Sequence, residues 1–226
     1  MTNKRYETKF RITELSFHEI EYILKKHPAI FKEIHYKRMV NNIYFDTLDL
    51  NNFRDNVEGE RDRIKIRIRW YGDLFGEINK PCLEIKNKCG LLGWKDKYEL
   101  EKFTLNKENY FDYKRIFNKI ASSGGKDWLK LNTKLIRPTL MNNYERKYFL
   151  SNNGKFRITL DKNMNFYSIN PYRNHIKTFE DSFTTILELK YEQQDFAFAN
   201  KITQSFPFRV TKSSKYIVGV DNQTNW

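Results

Sequence analysis

Residues 63 to 72, RIKIRIRWYG, carry basic side chains at alternate positions, namely Arg63, Lys65, Arg67 and Arg69. Isoleucines and one tryptophan fill the positions between them. Because successive side chains of a β-strand point to opposite faces, this pattern predicts a strand with one cationic and one apolar face. A row of cations at this spacing could bind a polyanion.

Several other segments repeat this alternation of charged and less polar residues. They are RYETKFRI (5 to 12), LEIKNK (83 to 88), KFRITLD (155 to 161) and LELKY (187 to 191). One interpretation is an antiparallel sheet whose charged faces are solvated. The other is a closed barrel whose charged positions line the lumen. Cations about 7 Å apart repel by roughly 2.4 kcal/mol at an effective dielectric of about 20, so a lumen of cations requires a bound polyanion.

Composition supports a basic globular protein. The 226 residues include 41 Lys and Arg against 28 Asp and Glu, a surplus of 13 positive charges that favours polyanionic partners. The chain has no apolar run that could span a bilayer, and its first residues lack the apolar stretch of a signal peptide, which predicts a soluble, cytoplasmic protein. Cys82 and Cys89 lie about 23 Å apart on one extended segment, too far for a disulfide. The four histidines form no metal-ligand pattern.

Hydrophobic periodicity predicts eight or nine strands with helices between them. The strands are expected at about 4–13, 41–47, 61–71, 80–89, 96–104, 141–150, 155–162, 184–191 and 208–218. Helices are expected after a Ser16 cap, at 106–121, at 126–136 and at 194–205. No repeat or linker interrupts the chain, so residues 1–226 are predicted to form one domain. The predicted fold is α+β, a closed eight-stranded antiparallel β-barrel with helices packed outside.

Eight short motifs then occur in an order that matches a known family. They are RYETKF (5 to 10), IYFDT (43 to 47), KIRIRWYG (65 to 72), LEIK (83 to 86), YERKYF (144 to 149), FRITLD (156 to 161), ILELKY (186 to 191) and TKSSKYIVG (211 to 219). On these motifs the sequence resembles the VTC-domain polyphosphate polymerases of the triphosphate tunnel metalloenzyme (CYTH-like) superfamily.

The resemblance implies an enzyme that transfers the terminal phosphoryl group of ATP to a growing polyphosphate chain inside a basic tunnel. It implies these phosphate-contacting catalytic residues: Lys9, Arg67, Arg69, Lys86, Arg146 and Arg157. Further phosphate binders would be Lys65, Lys190, Lys212 and Lys215. Glu188, with Glu7, would bind a divalent cation, Mn²⁺ or Mg²⁺. In a regular strand, Lys212 and Lys215 would point to opposite faces. Their segment therefore needs an irregular backbone if both are to bind phosphate.

Two alternative functions stay open from the sequence alone. A triphosphatase of the same fold would use water in place of the polyphosphate acceptor. Hydrolytic and cyclase relatives carry Glu-x-Glu-x-Lys on the first strand, whereas this chain has Arg5 and Glu7 before Lys9. The other alternative is a non-catalytic binder of RNA or polyphosphate, which the net charge would equally explain.

The expected partners are ATP and polyphosphate, with no sequence-specific nucleic acid. Any association with a membrane would need a separate membrane-protein partner.

Four other residues have structural as well as functional interpretations. Asp46 is interpreted as a turn or cap residue in preference to a ligand. Trp70 falls on the apolar face of its strand and is expected in the core. Asp161 fits either a structural role or a ligand role, and Glu84 could contribute to metal or water positioning.

Overall fold

The structure is a computed structural model, which describes residues 5–90, 92–107, 112–122, 135–169 and 176–224. The strands are β1 (Arg5–Ile12), β2 (Lys32–Thr47), β3 (Asp62–Tyr71), β4 (Gly76–Ile78), β5 (Cys82–Cys89), β6 (Leu92–Glu99), β7 (Phe103–Leu105), β8 (Ile136–Leu150), β9 (Arg157–Ser168), β10 (Ile176–Asp181) and β11 (Thr185–Glu192). The helices are α1 (Phe17–Lys26), α2 (Asn51–Glu58), α3 (Tyr113–Ser122), α4 (Phe196–Gln204) and α5 (Lys215–Thr224). The α+β class is therefore confirmed.

The main sheet has nine strands in the order β1-β11-β9-β8-β2-β3-β5-β6, and β10 pairs with β9. In the part of the chain that the structure describes, this order is an open path with β1 and β6 at its ends. The predicted closed eight-stranded barrel is therefore wrong as stated. Alternation of residue types reveals the two faces of a strand, but closure depends on backbone hydrogen bonds between distant segments, which side-chain types do not encode.

Two strands are much longer than their sequence patterns predicted. The prediction began one strand at residue 41, whereas β2 begins at Lys32, and it began another at 141, whereas β8 begins at Ile136. The first seven residues of β2 are all exposed. A strand segment without a buried face has no period-2 hydrophobic signal, so the pattern missed it.

The predicted strand at 208–218 is wrong. Val210 makes an isolated bridge to Phe10, and α5 then begins at Lys215. Helix α1 is confirmed with its cap, since the Ser16 side chain accepts from the Glu19 amide and the Glu19 side chain accepts from the Ser16 amide. Helix α4 matches the prediction closely, and α3 matches the second half of its predicted range. The helix predicted at 126–136 lies almost entirely outside the described residues.

The chain folds into two compact units. The first comprises Met1–Met39, Tyr144–Asn165 and Glu180–Ser214. In it, apolar residues of β1, β9 and β11 form a core with residues of α1 and α4, including Phe10, Leu24, Leu160, Leu187 and Ile202. Because this face of the three strands lies against helices, their charged residues share the opposite face.

The second unit comprises Val40–Asn143, Phe166–Phe179 and Lys215–Trp226. Its core combines the apolar residues of β2, β3 and β5 with Tyr113 and Phe117 of α3. Trp70 is buried in this core, as its position on the apolar face predicted. The single-domain assignment stays a prediction. Among the described residues, no helix combines the length and the apolar character needed to cross a membrane.

Candidate functional site

In the first unit, Glu188 of β11 lies among three cationic side chains. The pairing of β1 with β11 sets Lys9 directly opposite Glu188, and Lys9 Nζ lies 3.2 Å from Glu188 Oε1. Lys190 Nζ lies 2.9 Å and Arg146 Nη2 lies 3.9 Å from Glu188 Oε2. We call Glu188, Lys9, Lys190, Arg146 and Asp161, the partner of Arg146, the Glu188 cluster.

Asp161 fixes the direction of the Arg146 side chain. Arg146 Nε donates to Asp161 Oδ1 at 2.5 Å, and Nη2 donates to Oδ2 at 2.6 Å. The guanidinium also lies over the Tyr144 ring, 5.3 Å from its centroid. Burial alone would lower the pKa of Arg146, but the negative charges of Asp161 and Glu188 raise it well above its usual value. Arg146 is therefore a permanent cation in one orientation.

Lys9 is held in a similar way. The Glu188 carboxylate raises the pKa of Lys9 against the opposing effect of burial. Its Nζ also donates to the Ser213 carbonyl oxygen at 3.1 Å. The ammonium group is therefore charged and positioned beside Glu188.

Thr159 is a residue of this region that the sequence analysis did not single out. The pairing of β9 with β11 sets it directly opposite Glu188, on the side away from Lys9. Its side chain is buried, and its hydroxyl has no hydrogen-bond partner among the described residues. A buried hydroxyl without a partner is unfavourable unless something else contacts it, so Thr159 is a candidate ligand contact. Thr159 is identified by the lack of a hydrogen-bond partner among the described residues, which cannot be read from the sequence.

The structure places the remaining predicted residues of the first unit as follows. Glu7 and Arg157 lie on opposite sides of Lys190, in the same row of the sheet. Arg157 is exposed. Lys212 is also exposed and makes no ion pair within the described residues. The segment of Lys212 follows the bridge at Val210 and is not a strand. The alternation of faces along a strand therefore does not apply to Lys212 and Lys215.

In the second unit, Glu84 of β5 binds three cations, and we call these four residues the Glu84 cluster. Arg67 donates to Glu84 Oε2 from Nε at 2.8 Å and from Nη2 at 2.6 Å. Lys95 Nζ donates to Oε1 at 2.7 Å, and Arg69 Nη1 lies 3.6 Å from Oε2. Burial would raise the pKa of Glu84, which is 4% exposed, but the three cations lower it far below its usual range. Glu84 is therefore a permanent anion that orients the two arginines.

Two asparagines complete the positioning of Arg69. Arg69 Nε donates to Asn42 Oδ1 at 2.9 Å, and Asn42 Nδ2 donates to Asn142 Oδ1 at 2.9 Å. Both asparagines are fully buried. Arg67 lies over the Tyr44 ring, 6.0 Å from its centroid. Asn42 and Asn142 were not predicted, because the Asn pairs at 41–42 and 142–143 carry no spacing typical of a phosphate site.

A row of three lysines crosses the same unit. The strand registers set Lys65 opposite Lys86 and Lys86 opposite Lys95. Like charges directly opposite each other on a sheet are unfavourable, and the hydrogen bond from Lys95 to Glu84 offsets part of this repulsion. Lys95 was missed because the predicted strand began at residue 96. Lys215, which was also predicted to bind phosphate, lies in this unit as the first residue of α5.

Asp46 has the structural role that the sequence indicated. Its carboxylate accepts hydrogen bonds from the amides of Asn52 and Phe53 at 2.9 and 3.0 Å, which supplies α2 with a cap that Leu50 cannot provide. The Tyr216 hydroxyl donates to the same carboxylate. The Asp46 carboxylate therefore has a structural role.

Carboxylates that could hold a metal ion are few. Among the described residues, no group of three or more His, Cys, Asp or Glu side chains is placed to bind one. Glu188 and Glu7 lie on the same face of neighbouring strands, and Lys9, Lys190 and Arg146 surround Glu188. Two carboxylates with three neighbouring cations do not form a complete metal site, so a divalent cation here would take most of its ligands from phosphate oxygens and water.

These observations define a mixed α+β protein in which each of two units presents cations held by buried carboxylates. The family model of the VTC domain matches residues 4–223, so the chain belongs to the VTC domain family. The resemblance found in the sequence is confirmed. That the basic residues of both units contact one ligand stays a prediction.

Solved structures with the same fold are distant in sequence. A candidate adenylate cyclase from Vibrio parahaemolyticus matches with a TM-score of 0.55 at 12% identity, covering 99% of both chains. The PH1819 protein from Pyrococcus horikoshii matches with a TM-score of 0.53 at 12% identity, covering 97% of this chain and 98% of that one. HpAC1 from Hippeastrum, described with a dominant triphosphatase activity, matches with a TM-score of 0.51 at 13% identity, covering 96% and 95%. No curated protein sequence matches the chain.

Proposed function

We propose that this protein is a polyphosphate polymerase that transfers the terminal phosphoryl group of ATP to a growing inorganic polyphosphate chain, with assistance from a divalent metal. The observation that carries the proposal is that buried carboxylates hold Arg146, Arg67 and Arg69 in fixed orientations in a chain of the VTC family. Fixed cationic donors suit a reaction whose transition state spreads negative charge over phosphoryl oxygens.

The reaction needs no nucleophile from the protein. A terminal oxygen of the polyphosphate attacks the γ-phosphorus of ATP, the bond from that phosphorus to the bridging oxygen breaks, and ADP leaves with the electron pair. Catalysis then rests on positioning and on electrostatic stabilisation. Arginine suits this task because its planar guanidinium can bind two phosphate oxygens at once.

In this proposal, Lys9 and Arg146 hold phosphate oxygens next to Glu188, and Lys190 and Arg157 extend the contact along β11 and β9. Arg67 and Arg69, with the row of Lys65 and Lys86, bind phosphates in the second unit. Lys212 and Lys215 remain proposed phosphate binders through the resemblance.

Glu188 and Glu7 would hold the divalent cation, Mn²⁺ or Mg²⁺. When bound, such an ion neutralises part of the phosphate charge. ATP and polyphosphate are the proposed partners, and a cytoplasmic location with a separate membrane-protein partner is proposed with them.

A triphosphatase is the second candidate function. It is favoured by the likeness to HpAC1 from Hippeastrum, which was described with a dominant triphosphatase activity. Glu7 also retains one carboxylate of the Glu-x-Glu-x-Lys pattern, although Arg5 replaces the other. The two candidates differ only in whether polyphosphate or water attacks the phosphorus.

Product analysis separates the candidates. The full chain is incubated with ATP and Mn²⁺ or Mg²⁺, and the products are resolved by length on a gel and assayed for free phosphate. Long phosphate chains with ADP are expected. Free phosphate without chains would establish the triphosphatase and overturn the polymerase.

The variant Glu188→Gln tests the metal assignment. We expect turnover to fall at least about a hundredfold, while binding of tripolyphosphate in the absence of metal persists, because the surrounding cations remain. Glu180→Gln is the matched control, since Glu180 is exposed at the end of β10. Full activity in Glu188→Gln would show that Glu188 is not a metal ligand.

A further inference from the structure

The first unit has a cleft of about 180 Å³ beside the Glu188 cluster. Three cations line it, namely Lys155, Arg157 and Lys190, together with the carboxylates of Glu192 and Asp195. Of these, only Lys190 belongs to the Glu188 cluster. Lys155 was not among the residues predicted to bind phosphate.

The cleft is built on rigid backbone. The turn between β8 and β9 is closed by hydrogen bonds from the Ser151 amide to the Phe156 carbonyl oxygen at 2.9 Å and from the Phe156 amide to Ser151 Oγ at 3.0 Å. The Lys155 amide donates to Asn153 Oδ1 at 3.1 Å. Lys155 therefore lies in a hydrogen-bonded turn, two residues before Arg157, the first residue of β9.

The charged groups of the cleft are only partly neutralised. Lys155 Nζ donates to the buried Asp195 carboxylate at 3.2 Å, yet the lysine side chain stays 55% exposed. Glu192 accepts a hydrogen bond from Gln194 at 3.2 Å. Arg157 is exposed, and its side chain has no hydrogen bond or ion pair within the residues that the structure describes. Lys190 pairs with Glu188 and Lys155 pairs with Asp195, which leaves the exposed guanidinium of Arg157 available to an anion.

The three cations form a path that starts at Glu188. Lys190 Nζ contacts Glu188, the strand register sets Arg157 opposite Lys190, and Lys155 lies two residues before Arg157. We propose that the cleft binds the stretch of polyphosphate that extends beyond the phosphates held at the Glu188 cluster, with Lys155 as a contact residue. This inference rests on the proposed function for the identity of its ligand. It implies that the bound polyphosphate runs along β9.

The length of the polyphosphate ligand is the variable that tests the inference. A ligand too short to reach the cleft does not contact Lys155, whereas a long chain does. Lys155→Gln removes the charge and keeps a hydrogen-bond donor for Asp195. Lys32→Gln is the matched control, because Lys32 is exposed in the same unit and does not line the cleft.

Binding of tripolyphosphate and of long-chain polyphosphate to the full chain is measured by calorimetry, without metal and at one salt concentration. We expect Lys155→Gln to weaken long-chain binding about fivefold relative to Lys32→Gln, and to leave tripolyphosphate binding within about twofold. Equal weakening for both ligands, or none for either, would overturn the inference.

Failure of the polymerase assignment and failure of the cleft assignment give different results. If the wild-type protein forms no chains from ATP but Lys155→Gln still discriminates by length, the polymerase assignment fails and the cleft stands as a polyphosphate subsite. If the wild-type protein does form chains and Lys155→Gln binds both ligands as Lys32→Gln does, only the cleft assignment fails.

Discussion

Arg146 and Asp161 form a buried, doubly hydrogen-bonded ion pair, with donor to acceptor distances of 2.5 and 2.6 Å. The second unit has a related pair, since Arg67 donates two hydrogen bonds to one oxygen of Glu84. In both cases a carboxylate on one strand fixes a guanidinium on another. A fixed guanidinium binds phosphate without first losing side-chain freedom, which is the advantage of preorganised donors.

Asp161→Asn is expected to destabilise the fold. Removing Asp161 leaves the buried Arg146 charge with only the more distant Glu188 carboxylate, 3.9 Å away, at a cost of about 3 kcal/mol in the free energy of unfolding. For a chain of this length that lowers Tm by roughly 6 to 12 °C, measured by circular dichroism. Asp49→Asn, on an exposed residue, is the control. A change no larger than that of the control would show that the ion pair contributes little.

Glu84→Gln is expected to lower Tm and to increase the stabilisation that a phosphate ligand provides. Without Glu84, the cations Arg67, Arg69 and Lys95 lose their shared counter-charge, so an added anion relieves more repulsion. The measurement is the shift of Tm produced by tripolyphosphate. Glu77→Gln, which removes an exposed partner of Lys102, should shift as the wild type does. Equal shifts in all three proteins would contradict a ligand at the Glu84 cluster.

The stability that Glu84 contributes should depend on pH. Because its pKa is lower in the folded protein than in the unfolded chain, its contribution is complete above the unfolded value of about 4.3 and is lost as the pH falls below it. The difference in unfolding free energy between wild type and Glu84→Gln should therefore be largest near neutral pH. Urea unfolding from about pH 7 to about pH 3.5 measures this difference, and a constant difference would refute the prediction.

Thr159→Val distinguishes a ligand contact from a core residue. Valine matches threonine in shape and removes a buried hydroxyl that has no partner among the described residues, so Tm should stay the same or rise slightly. If the hydroxyl donates to a phosphate oxygen, affinity for tripolyphosphate falls about tenfold. Thr159→Ser keeps the hydroxyl and should bind nearly as the wild type does. Unchanged affinity in Thr159→Val would place the residue outside the site.

Residue types and spacing alone were enough to identify the charged strand faces. The alternation around Arg67 and Arg69 predicted β3 almost to its ends, and the order of eight motifs indicated the VTC family. Trp70 and Asp46 were assigned correctly from local chemistry, one by the face it occupies and the other by its residue type within the YFDT motif. These inferences succeed because they depend on neighbours within a few residues.

Tertiary structure decided the features that join distant segments. The pairing of Glu84 with Lys95, the Thr159 hydroxyl without a partner among the described residues and the cleft beside Lys155 all depend on strand registers, which alternation leaves undetermined. The open strand order likewise could not be obtained from the sequence pattern. A period of two residues specifies which face a side chain occupies, whereas its partner is specified by backbone hydrogen bonds between strands far apart in the chain.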